Sequence, residues 1–114
     1  MERYCEFDLT SDTGSCYLEF CVGRKDAWSK FENQGSLFVS DNAFLVLGID
    51  SVFCRVVPEF DFCGDTTIIT KTQWQEIYRL SLVLDSESKQ VFEEINTWVV
   101  NELRDYNCFS VIGV

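Results

Sequence analysis

A chain of 114 residues has the length of one domain, and residues 1–114 are read as a single unit. Hydrophobic residues make up 46% and aromatics 15%, enough for a packed core, which excludes a disordered chain despite a formal charge of −10. Nineteen acidic side chains against nine basic ones repel phosphate backbones and anionic lipids, so neither nucleic acid nor membrane is an expected partner.

Tyr4 to Leu9 alternates polar and apolar residues and predicts a half-buried strand with Cys5, Phe7 and Leu9 on one face. Ser11-Asp12-Thr13-Gly14 is a turn cluster, and Ser15 to Val22 predicts a second strand, so the pair reads as a hairpin. In Arg24 to Gln34, Asp26 is placed to cap a short helix with Trp28 and Phe31 on one side, ended by Gln34-Gly35. Leu37 to Val39 and Ala43 to Ile49 are apolar runs that read as strands on either side of a Ser40-Asp41-Asn42 turn. Val52 to Phe62 reads as the longest strand, interrupted at Pro58, because proline has no amide to give a ladder.

The period changes in the second half. Thr70 and Gln73 form a capping box, after which Trp74, Ile77, Tyr78, Ser81 and Leu82 recur at helical spacing. Asp85-Ser86 opens a second helix with a stripe of Val91, Ile95, Trp98, Val99 and Leu103. Phe109 to Ile112 is a candidate final strand. The expected fold is α+β: a mostly antiparallel sheet from the N-terminal half, with two C-terminal helices packed on it.

Histidine is absent, which removes the commonest general base and the usual Ser-His and Cys-His pairs. The six cysteines contain no C-x-x-C pair, so no metal site is expected, and no glycine-rich phosphate loop precedes a helix. No catalytic residue and no cofactor is therefore assigned, and binding rather than catalysis is the expected activity. A hydrolase built on two carboxylates would need them gathered in a cleft. Met1-Glu2-Arg3-Tyr4-Cys5-Glu6 has no positive region leading into an apolar one, so a cytoplasmic location with free thiols is expected.

The sequence Glu59-Phe60-Asp61-Phe62-Cys63-Gly64-Asp65 carries the most suggestive charge pattern. As a strand it sets Glu59, Asp61 and, at its margin, Asp65 opposite Phe60 and Phe62. Exposed carboxylates in such an array receive arginine and lysine well. Glu6 and Asp8 repeat the alternation and extend the surface if the two strands are neighbours. Glu93, Glu94, Asn101, Glu102 and Asp105 form a second polar group beside the final apolar stripe. Both patterns also suit ordinary solvated faces over an apolar core.

From Asp65 through Thr66-Thr67-Ile68-Ile69-Thr70-Lys71-Thr72-Gln73-Trp74 to Ile77, the chain resembles a recurring element of bacterial immunity proteins. These are the antidotes of contact-dependent growth inhibition and other polymorphic toxin systems. The resemblance lies in a strand leading through threonine and lysine into a helix with an early tryptophan. It implies a cytoplasmic protein that binds and neutralises a cognate toxin domain, often a basic nuclease, by blocking its active site or substrate surface. Its partner-binding residues do not transfer, because such surfaces diverge with the toxin. Two other readings remain open: an acidic DNA mimic that inhibits DNA-binding proteins, and a small regulatory binding domain whose charge only maintains solubility.

Overall fold

The computed structural model describes residues 3–4, 17–30, 33–61 and 66–113. The central strand β2 (Tyr17–Val22) directs Leu18 and Phe20 to one side and Glu19 and Cys21 to the other, following the two-residue period of extended chain. β3 (Leu37–Ser40) and β5 (Cys108–Ile112) run antiparallel on its two flanks, and β4 (Thr66–Thr70) lies antiparallel beyond β5. β1 (Arg3–Tyr4) adds to the outer side of β3 in parallel, giving the order β1-β3-β2-β5-β4. β1 thus neighbours β3, so the hairpin expected between the first two strands is not formed by this pairing. Most of that first strand and its Ser11–Gly14 turn lie outside the described residues.

Two expected strands are helices. Ala43 to Ile49 belongs largely to α1 (Asp41–Leu47), so the Ser40-Asp41-Asn42 turn is a helix entrance. Val52 to Phe62 opens within α2 (Asp50–Val56). The physical reason is a one-sided core. Ala43 and Phe44 are buried while Leu45 and Val46 face water, and Val52 and Phe53 are buried one turn before Val56. Gly48, with φ of 66°, makes the left-handed bend between the two helices.

The C-terminal helices follow the sequence closely. At α3 (Lys71–Ser81), Thr70 Oγ1 accepts the Gln73 amide at 3.1 Å and Gln73 Oε1 accepts the Thr70 amide at 2.9 Å. At α4 (Ser86–Glu102), Asp85 Oδ1 accepts the Ser88 amide at 2.9 Å. Trp74 and Ile77 from α3, and Val91, Ile95 and Trp98 from α4, meet Leu18, Phe20, Ile69 and Phe109 of the sheet in one core. Phe53 of α2 lies among them, 6.1 Å from the Trp74 ring centroid and 5.8 Å from that of Phe92. Burying each large ring contributes about 2–3 kcal/mol before entropy is subtracted. The α+β fold has its two long C-terminal helices packed on a mostly antiparallel sheet, with β4 and β5 joining the strands of the first half. Among the described residues, no helix is long and apolar enough to cross a membrane.

The opposite sheet face is also withdrawn from water, and residues 23–30 and 33–36 bond to it. Lys25 N donates to Ser110 Oγ at 2.8 Å, that hydroxyl donates to Gly23 O at 2.7 Å, and Lys30 Nζ donates to Gly113 O at 2.8 Å. Glu19, fully buried on this face, accepts Ser36 Oγ at 2.6 Å and Asn33 Nδ2 at 3.1 Å. Buried carboxylates require such donors, because desolvation otherwise disfavours the charge.

Candidate protein-binding surface

Pro58 follows α2 and ends it, since the residue before a proline avoids helical geometry. Val57 N still donates to Phe53 O at 2.8 Å, and Phe60 N returns to Val57 O at 2.9 Å, closing a tight turn. Phe60 plugs this turn into the core, its ring stacked 4.8 Å from Phe53 and 5.8 Å from Phe44. Glu59 and Asp61, on either side of that plug, are exposed. The alternation expected from the sequence survives here, but a turn after a helix produces it in place of the expected strand. Asp65, Glu6 and Asp8 lie outside the described residues.

Cys54 lies beneath the same turn and its Sγ donates to Phe60 O at 3.3 Å. Burial, followed by the carboxylates of Asp50 and Asp61, pushes its thiol above the ordinary range. Burial and the nearby carboxylates both favour the neutral thiol. Cys21, on the reverse sheet face, is pushed up to about 12 by burial first and then by Glu19. Neither sulfur is poised as a thiolate nucleophile at neutral pH. Among the described residues, no group of three or more cysteine and carboxylate side chains is arranged to hold a metal ion.

The polar side of α4 is divided. Glu93 accepts the Tyr78 hydroxyl at 2.6 Å, tying α4 to α3, and raises the pKa of that phenol. Glu94 is half-buried, whereas Asn101, Glu102 and Asp105 are exposed. Gly35 is favoured by its φ of 71°, whereas the exposed Glu102 side chain, 3.0 Å from the place a Cβ would occupy, can swing aside. This face is partly structural. Asp41 and Asp50 each occupy a first helical turn, where a negative charge complements the helix dipole.

Two residues escape the sequence reading. Glu19 falls on the polar phase of β2, where a solvent-facing residue is expected, yet it is buried and bonded by Asn33 and Ser36. Trp28 is expected on one side of a short helix with Phe31, which lies outside the described residues; the described helix is a single 3-10 turn, Ala27–Ser29, and the indole is 89% exposed. Its charged neighbours, Arg24, Lys25, Asp26 and Lys30, are the available signal. Comparison with protein-family models, curated proteins and solved structures finds no match to the chain.

Proposed function

We propose that this chain is a cytoplasmic immunity protein that binds and neutralises a cognate bacterial toxin domain by covering its active site or substrate surface. The observation that carries the reading is the Phe60-pinned turn, which leaves Glu59 and Asp61 exposed on a body of charge −10. A fixed anionic projection accelerates encounter with a basic protein and orients it before contact, while a phosphate backbone is repelled. The capped strand-to-helix junction at Thr70, with Trp74 in its first turns, supports the same reading through its resemblance to these antidotes. The basic partner is a toxin domain such as a nuclease, whose substrate surface attracts anions.

The test is neutralisation. The product of the reading frame immediately upstream is expressed with and without this chain, and growth and the activity of that purified product are followed. Growth restored by the wild type, with toxin activity abolished at equimolar ratio, is the expected result. A toxin equally active with a saturating amount of the chain removes the proposal.

A further inference from the structure

An indole carries enough apolar surface that folding ordinarily hides it. Trp74 and Trp98 follow that tendency, at 2% and 1% exposure, while Trp28 remains 89% exposed. The turn carrying Trp28 is fastened on both sides. Asp26 Oδ1 accepts the Trp28 amide at 3.1 Å, and Asp26 O accepts both the Ser29 amide, at 3.1 Å, and the Ser29 hydroxyl, at 3.0 Å. Upstream, Lys25 N is held by Ser110 Oγ, a hydroxyl buried in the sheet. Downstream, Asn33 Nδ2 donates to Ser29 O at 3.0 Å while also bonding Glu19.

A hydrated aromatic ring on a turn already ordered suits a binding anchor. Its surface is still available for burial, and little backbone freedom is lost when it docks. Tryptophan and arginine are also the residue types most enriched among interface hot spots. Arg24 is exposed and Lys25 half-exposed beside this turn, while the Asp26 carboxylate is engaged with the turn's own amide. A matching surface therefore needs an apolar pocket for the ring and carboxylates for the two cations.

We infer that Trp28 is the anchor of the complex, with its indole entering an apolar, carboxylate-rimmed pocket on the toxin domain. The inference rests on the toxin-antidote reading above and divides the work of binding. Glu59 and Asp61 govern how fast the partner arrives, and Trp28 governs how long it stays.

The probe is a catalytically inactive form of the upstream-encoded toxin domain, left unlabelled. The full antidote chain carries 5-fluorotryptophan at its three tryptophans, with Trp28 assigned by W28F. On saturation, the Trp28 fluorine resonance is expected to move and lose its solvent-isotope shift, while those of Trp74 and Trp98 change little. Trp28→Ala should speed dissociation by about 30-fold or more, with an association rate within about twofold and an unchanged melting curve. Trp28→Phe should fall between. A wild-type complex in which the Trp28 resonance stays put and W28A dissociates at the normal rate overturns the anchor and leaves the toxin reading intact. No complex with the wild type overturns both.

Discussion

Replacing Trp98 separates ring packing from hydrogen bonding in the same core. Its ring meets Phe20 edge-on at 6.2 Å and Phe109 edge-on at 5.7 Å, and its Nε1 donates to Gly35 O at 2.7 Å. Trp98→Phe retains an aromatic ring and removes the donor, so it should cost roughly 1–3 kcal/mol. Trp98→Ala also loses both edge contacts and leaves a cavity, which raises the cost to about 3–5 kcal/mol. Against a total stability of about 5–15 kcal/mol for a domain, the alanine variant should be marginal at growth temperature. Urea denaturation followed by circular dichroism, with the slope checked for constancy, measures both losses. Hydrogen exchange at Ser36 should also rise in the phenylalanine variant, because Gly35 is the attachment of that loop to α4. Equal losses in the two variants would refute the packing argument, and a loss below about 0.5 kcal/mol in both would refute the burial itself.

Thr70→Ala should cost about 1 kcal/mol and lower the melting temperature by about 4 °C, and Thr70→Ser should restore most of it. A T70S variant as unstable as T70A would mean that the hydroxyl does not cap α3. The Ser88 amide holds the Asp85 carboxyl below its ordinary range, so its contribution is present above the unfolded pKa and lost as pH falls through the folded one. Asp85→Asn keeps a cap and should flatten that acid limb of a melting-temperature profile; an unchanged limb contradicts the assignment. Cys21 has the opposite sign. Its folded pKa of about 12 exceeds the ordinary 9.0, so its contribution is complete below about 9 and is lost as pH rises towards 12. Cys21→Ala should reduce the alkaline loss of stability, with the Tyr78 phenol, raised by Glu93, supplying part of what remains. An alkaline limb of undiminished size in C21A would contradict the buried-thiol account.

The legible parts of the fold were those with two agreeing signals. α3 and α4 each combined a cap, Thr70 or Asp85, with an apolar stripe long enough to define a period. β2, β3 and β5 were bounded runs of apolar residues. α1 and α2 misled because seven residues are too few to separate a buried strand from a helix by period alone. In α2, Val52, Phe53 and Val56 have the composition of a strand, and only tertiary burial at spacings of one and four reveals the helix. In the sequence pattern Pro58 interrupts a strand, whereas in the fold it ends a helix and starts the turn that exposes Glu59 and Asp61. Glu59 and Asp61 are exposed in either arrangement, because in-and-out alternation around Phe60 is common to a strand and to this turn. Glu19 and Trp28 were missed for one shared reason. Lys25, Lys30 and Asn33 are placed by hydrogen bonds to Ser110, Gly113 and Glu19, distant in sequence, and no local pattern records which sheet face they meet.

The most direct measurement is the association rate of this chain with the product of the reading frame immediately upstream, from about 0.02 to about 0.5 M salt. It is made for the wild type and for the double charge reversal Glu59→Lys with Asp61→Lys. A docking reaction guided by these carboxylates should slow steeply as salt rises, and the reversal should lose about tenfold in rate at the lowest salt with its melting curve unchanged. Identical rates for both proteins at every salt concentration would contradict electrostatic docking through this turn.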